Sequence, residues 1–210
     1  MRPEILKLYL VTDPELSLGR SVTEVVKEAI QGGVTIVQLR EKNASIKEFY
    51  AKALELKKIL AGTGIPLIIN DRIDIALAID ADGVHLGQSD MPYRIARKLL
   101  GNKKIIGISC PEDSLLIEAN DLDVDYVAVQ AYPTQTKANA THPRGIEGLK
   151  HSRMLSKKPL VAIGGIHLSN ATEIASTKVD GLAVVSEIMS ARFPKEAAIK
   201  LNQAIDTGRI

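Results

Sequence analysis

The chain has 210 residues, 45% of them hydrophobic, which suffices for one large core and predicts one domain over residues 1–210. Its 27 basic and 25 acidic residues are interleaved to a net charge of +2, and with 3% aromatics and no Trp there is no basic patch with stacking platforms for nucleic acid. Cys110 is the single cysteine and closes no internal disulfide, no apolar stretch approaches the roughly 20 residues of a membrane span, and the charged start Met1-Arg-Pro-Glu-Ile-Leu-Lys7 is no secretory signal, so a cytoplasmic location is expected.

Eight short, apolar, β-branched runs follow along the chain: 6–11, 34–39, 66–70, 83–86, 104–109, 125–129, 159–163 and 181–185. Each predicts a strand. Between most of them lie segments with helical period, such as Val22-Val25-Val26-Ala29-Ile30, Phe49-Ala53-Leu56-Leu60 and Ile95-Leu99. Strands apolar throughout are buried on both faces, which is the mark of a parallel sheet with helical crossovers. Eight such units in about 200 residues predict an α/β chain folded as a single-domain (β/α)₈ TIM barrel. An open doubly wound sheet is the rival, and no Gly-x-Gly-x-x-Gly turn follows the first strand to support it. Pro66 and Pro159 stand at strand starts, where a missing N–H costs least.

Active sites of such barrels lie at the C-terminal ends of the strands. Those ends read Gln38, Arg40 and Lys42 after the second strand, Asn70-Asp71 after the third, Asp90 after the fourth and Ser109 at the end of the fifth. Thr134-Gln135-Thr136-Lys137 follows the sixth, Gly164-Gly165 the seventh and Val185-Ser186 the eighth. Side chains alternate along a strand, so Gln38, Arg40 and Lys42 share one side if the extended path continues. Arg40 and Lys42 taken alone read as surface charges, whereas Gln38 inside an apolar strand needs buried partners.

Asp71 and Asp90 are each expected, taken singly, to cap the helix that follows, near Arg72 and after Met91-Pro92. Taken together at adjacent strand ends they point to Mg²⁺, held by one or two carboxylates and completed by substrate phosphate. His85 is assigned a structural role in its strand. Gly164-Gly165 and Ser186 stand where barrels often bind phosphate through backbone N–H groups, although a tight turn also wants glycine. The polar stretch from Thr134 through Gly145 reads as a lid, and Asn139-Ala-Thr141 matches a glycosylation sequon that a cytoplasmic chain does not use. Acids that hold a divalent ion beside cations that hold an anion fit a diphosphate-bearing substrate.

Six motifs, Tyr9-Leu-Val-Thr-Asp13, Gln38-Leu-Arg-Glu-Lys42, Asn70-Asp71, Asp82-Gly-Val-His-Leu-Gly-Gln-Ser-Asp90, Pro133-Thr-Gln-Thr-Lys137 and Ala162-Ile-Gly-Gly-Ile166, together resemble the thiamine-phosphate synthase family over almost the whole chain. The resemblance implies a (β/α)₈ transferase that joins hydroxymethylpyrimidine diphosphate to a thiazole phosphate, or its carboxylated form, giving thiamine phosphate and diphosphate. It also implies that Gln38, Leu39, Arg40, Glu41, Lys42, Asn70, Ser109 and Lys137 contact the pyrimidine diphosphate and that Asp71 and Asp90 hold Mg²⁺. The thiazole phosphate would meet Thr134, Gln135, Thr136, Gly165, Val185 and Ser186, and the catalytic work would fall to Arg40, Lys42, Ser109 and Lys137. The expected partners are these small molecules, with a homo-oligomer left open.

One departure stands out: the family pattern usually carries Gly-Pro ahead of Pro-Thr-x-Thr-Lys, and this chain reads Val129-Gln130-Ala131-Tyr132, which implies a repacked pocket wall. The alternatives are a thiazole tautomerase-like relative, a barrel enzyme acting on a sugar phosphate, and a non-catalytic precursor sensor. The first two leave the metal and cation cluster unexplained, and binding without turnover is the mark of the third.

Overall fold

The eight apolar runs all become strands: β1 (Leu8–Val11), β2 (Ile36–Leu39), β3 (Leu67–Asn70), β4 (Gly83–Leu86), β5 (Ile105–Ser109), β6 (Tyr126–Gln130), β7 (Leu160–Ile163) and β8 (Gly181–Val184). In the computed structural model, which describes residues 1–134 and 143–210, each strand pairs in parallel with its neighbours and β8 returns to β1. The result is a single-domain (β/α)₈ TIM barrel, and the open doubly wound sheet is excluded by that last pairing. Boundaries move by a residue or two. Leu6 closes a 3₁₀ turn, Pro3–Leu6, and Thr35 precedes β2 because its hydroxyl accepts the Leu8 N–H at 3.0 Å and so bridges to β1.

Helices α1 (Val22–Gln31), α2 (Ile46–Leu60), α3 (Ile73–Ala78), α4 (Tyr93–Leu100), α5 (Asp113–Glu118), α6 (Gly145–Leu155), α7 (Leu168–Ser176), α8 (Ser186–Met189) and α9 (Pro194–Arg209) lie around the sheet. Reciprocal capping boxes, Ser21 with Glu24 and Ser45 with Glu48, start α1 and α2 by satisfying free N–H groups of the first turn. Along α2 the buried residues Phe49, Ala53, Leu56 and Leu60 recur at three- and four-residue steps, which is the stripe that faces the barrel. No helix among the described residues is long and apolar enough to cross a membrane.

Alternation along the strands sorts the apolar residues into two cores. Leu10, Val37, Leu39, Ile69, Val84, Leu86 and Val127 pack outward under the helices, whereas Tyr9, Val11, Ile36, Ile68, Tyr126, Ala128, Val161 and Ala183 fill the barrel interior. The same two-residue period carries the inward face from Ile36 to Gln38 and from Ile68 to Asn70. Register then aligns Asn70 with His85, His85 with Gly107 and Gly107 with Tyr126, so polar side chains from three strands meet in one layer around Gly107. Gly107 is where that layer needs a missing side chain: a Cβ there would stand 2.0 Å from the Tyr126 ring.

Candidate active site

Side chains after β2 alternate as an extended path requires. The Arg40 N–H donates to Thr12 Oγ1 and its Nη1 donates to Asp13 Oδ2, both at 3.1 Å. Asp13 is itself buried and accepts the Glu15 N–H, so the guanidinium is aimed by a carboxylate that is already anchored. Glu41 turns the other way, where Oε2 accepts from Lys52 Nζ of α2 at 2.8 Å and Oε1 stays buried with no hydrogen-bond partner among the described residues. Leu39 is fully buried in the outer core, so its side chain is turned from the mouth and only its backbone faces the strand end.

The helix-cap expectation for the two aspartates is corrected. The residue capping α3 is Arg72 and the one capping α4 is Pro92, and neither aspartate bonds a helix N–H in that role. Asp71 stands in the left-handed region at φ 61°, with its N–H donating to the His85 carbonyl at 2.9 Å. That backbone turn sets its carboxylate beside Lys42 Nζ, 2.5 Å away, and beside Asp90. Asp90 Oδ2 accepts the Gly87 N–H at 2.6 Å. Burial raises the Asp90 carboxyl above its usual range, the Gly87 N–H opposes that, and the neighbouring Asp71 raises it further.

Beyond β7, Gly164 and Gly165 take φ 92° and 59°, and a Cβ on Gly165 would stand 2.7 Å from Tyr132 Cβ. Both the left-handed backbone and the close approach therefore require glycine. Val185 follows β8 and caps the short α8, its carbonyl receiving the Met189 N–H at 2.9 Å, which places exposed Ser186 at the start of that helix. In the wall that departs from the family pattern, Gln130 Nε2 donates to the Tyr132 carbonyl at 3.0 Å and the Tyr132 N–H donates to the Gly164 carbonyl at 3.2 Å. The side chain of Gln130 thus props the loop that covers the glycine turn.

A cavity of about 540 Å³ gathers Arg40, Glu41, Lys42, Thr134, Gly165 and Ser186 with Asp13 to Leu16. Gln38, Asn70, Asp71, Asp90, Ser109 and Val185 border the same mouth from the strand ends without belonging to that lining. Gln135, Thr136 and Lys137, with the sequon at Asn139 and Thr141, lie outside the described residues.

Reading the strand ends from the second strand onward missed the first. Thr12 and Asp13 close the first motif directly after β1, and that position was the available signal. The interior layer was also missed, although Tyr9 and Tyr126 are the aromatic members of otherwise aliphatic strands. Gln38 Nε2 donates to the Tyr9 hydroxyl at 2.8 Å, the Tyr9 and Tyr126 hydroxyls meet at 2.8 Å, and His85 joins Tyr126 through Nδ1 at 3.0 Å and Ser109 Oγ through Nε2 at 2.9 Å. The structural role expected of His85 thus includes a polar link between strands.

Comparison with known proteins agrees with the geometry. A family model described as thiamine monophosphate synthase matches residues 8–188. The thiamine-phosphate synthase of Vibrio parahaemolyticus is 49% identical over 201 residues, covering 95% of this chain and 98% of the relative. That of Albidiferax ferrireducens is 50% identical over 207 residues, covering 98% and 94%. Among solved structures, a thiamine phosphate pyrophosphorylase from Pyrococcus furiosus superposes with a TM-score of 0.90 at 36% identity over 99% of both chains. With that fold, that mouth and these relatives, the chain belongs to the thiamine monophosphate synthase family.

Proposed function

We propose that this chain is a thiamine-phosphate synthase that couples hydroxymethylpyrimidine diphosphate with a thiazole phosphate, releasing diphosphate. The observation that carries the reading is the convergence at one barrel mouth of the Arg40 and Lys42 cations, the adjoining Asp71 and Asp90 carboxylates, and the Gly164-Gly165 turn. A sugar-phosphate enzyme would leave the carboxylate pair without use, and a tautomerase has no diphosphate to hold. A transferase assignment is what the relatives at about half identity carry.

The residues fit Mg²⁺. Two carboxylates that crowd each other, one of them raised by burial and by its neighbour, form a site that favours a cation, and oxygen donors of this kind suit a small hard ion. Among the described residues no group of three or more His, Cys, Asp or Glu converges, so the protein's share of the coordination would be Asp71 and Asp90, with substrate oxygens and water completing it. When bound, Mg²⁺ would offset charge developing on the diphosphate.

Every other part of the reaction falls to the chain's own groups. The bond between the pyrimidine methylene and diphosphate oxygen breaks, and its electron pair leaves with diphosphate. The thiazole nitrogen then supplies the pair for the new C–N bond. A pyrimidine cation between these events is stabilised by the ring amino group, so no protein nucleophile is required. Arg40, aimed by Asp13, and Lys42 would hold the departing oxygens, and Lys137 would join them. Ser109, Asn70 and Gln38 would orient the ring. Backbone N–H groups at Gly165, Val185 and Ser186, with the segment from Thr134 to Thr136, would anchor the thiazole phosphate and so place its nitrogen. We assign the cytoplasm as its location, in keeping with a buried thiol, Cys110, that burial pushes up to about 12 and so leaves unreactive.

The test is diphosphate release from purified protein given both substrates and Mg²⁺, with thiamine phosphate detected by fluorescence after oxidation. Metal-dependent product from both substrates is expected. Tight thiazole phosphate binding without coupling would transfer the chain to the tautomerase or sensor reading.

A further inference from the structure

The interior layer holds polar groups for which the reaction above has no use. Five side chains from five strands run Gln38, Tyr9, Tyr126, His85, Ser109, each within 2.8 to 3.0 Å of the next. Both ends of the run are residues assigned to the pyrimidine, and its three middle members are buried. Gly107 leaves the space that the Tyr126 ring fills, and the His85 ring stacks on that ring at 5.6 Å between centroids.

Proton counting gives the run a direction. Gln38 presents its amide nitrogen to Tyr9 and donates. Tyr9, already accepting, passes its own proton to Tyr126, and Tyr126 passes its proton to His85 Nδ1. His85 therefore carries its ring proton on Nε2 and donates to Ser109 Oγ. Ser109 is left with a hydroxyl proton for the pocket, and Gln38 with a carbonyl oxygen. Burial pushes both tyrosine hydroxyls up, so each keeps the proton this order needs. If the Gln38 amide turns over, every bond must reverse, because otherwise a buried acceptor faces an acceptor with no proton between them. The two ends change sense together or not at all.

We propose that Tyr9, Tyr126 and His85 are positioning residues that couple the hydrogen-bonding senses of Gln38 and Ser109, so that the site takes a ring offering an amino donor to Gln38 together with a ring-nitrogen acceptor to Ser109. The proposal rests on the assignment of Gln38 and Ser109 to the pyrimidine. An oxo group in place of the amino group turns the donor into an acceptor. At a ring nitrogen that keeps its lone pair in the oxo form, the intact run then satisfies Gln38 only by withdrawing the Ser109 proton from that nitrogen. With the run cut, Gln38 turns over alone and the analogue is accommodated.

Two measurements test this. The ¹⁵N shifts of His85 in the substrate-free protein are expected to show the Nε2–H tautomer, and Tyr126→Phe is expected to lose that bias. In turnover, the ratio of kcat/KM for the amino over the oxo pyrimidine diphosphate is expected to be about hundredfold or more in the unaltered protein, and at least about tenfold smaller in Tyr126→Phe, with KM for thiazole phosphate unchanged. An Nδ1–H tautomer in the unaltered protein, or an unchanged ratio in Tyr126→Phe, would overturn the coupling while leaving the synthase reading intact. The expected tautomer with no amino preference in the unaltered protein would overturn the assignment of Gln38 and Ser109 to the pyrimidine, and the proposed selection with it.

Discussion

The ammonium of Lys42 lies 2.5 Å from Oδ2 of Asp71, so the loop after β2 is tied to the loop after β3 by the same carboxylate that is proposed to hold Mg²⁺. Asp90 adjoins that carboxylate, and Lys42 draws its carboxyl down while Asp71 raises it. The cation therefore does in the free protein part of what a metal would do. Because Lys42 is half exposed, the pair is worth no more than about 1 kcal/mol.

Removing the ammonium should favour the metal and harm the reaction. Lys42→Met is expected to tighten Mn²⁺ binding to the substrate-free protein by about two- to fivefold, read by electron paramagnetic resonance. Turnover should fall on the order of 10²–10³, as loss of a charge-stabilising donor does elsewhere. Equal Mn²⁺ affinity in the two proteins would separate the Lys42 contact from the metal site.

Asp71→Ala and Asp90→Ala are both expected to abolish metal-dependent turnover. Direct Mn²⁺ titration should show weakened binding in each. Full activity in either variant would remove that residue from the proposed site.

Asp13 holds the Arg40 guanidinium from the wall of the same cavity. Asp13→Asn should keep the 3₁₀ turn, since an amide oxygen still accepts the Glu15 N–H, but loosen the guanidinium. We expect kcat/KM for the pyrimidine diphosphate to fall by roughly tenfold, below the hundredfold that a misplacement of about 1 Å costs. An unchanged value would show that the Asp13 carboxylate is not what places the Arg40 guanidinium.

Gly165→Ala meets two obstacles, a backbone at φ 59° and a methyl 2.7 Å from Tyr132 Cβ. A stability loss of about 1–3 kcal/mol is expected in denaturant unfolding. The KM for thiazole phosphate should rise with it, while the KM for the pyrimidine diphosphate stays within about twofold. A variant as stable as the parent would mean that the turn relaxes freely.

Acid should weaken the hold of α5 on the loop before α6. The Arg144 guanidinium bonds the Asp113 carboxylate and keeps that carboxyl below its usual range. A folded value below the unfolded one contributes stability that is present above the unfolded value of about 3.9 and is lost as pH falls through the folded one. Asp113→Asn is thus expected to lower Tm at pH 7 and to leave it unchanged near pH 2. An equal drop at both pH values would assign the effect to packing.

Element type and order were legible in the chain because burial on both faces makes every barrel strand apolar throughout, and the helical stripes between them have their own period. Eight such units also imply closure, and the strand ends then name most of the mouth. Edges were less legible: Thr35 lies outside β2 through a side-chain bond to β1, which is a contact across 27 positions in sequence.

What only the tertiary structure decided is which groups serve which. The residues around Asp71 and Asp90 read as helix starts, and a left-handed turn at Asp71 and a Gly87 N–H on Asp90 redirected both carboxylates toward each other. The sequence by itself determined the barrel and the identity of the polar rim, since both follow from local period and strand order. The bonds among Gln38, Tyr9, Tyr126, His85 and Ser109 depend on register between strands, and the void at Gly107 that admits the Tyr126 ring exists only once β5 lies beside β6. Register is set by the closed sheet as a whole, so no stretch of sequence carries it alone.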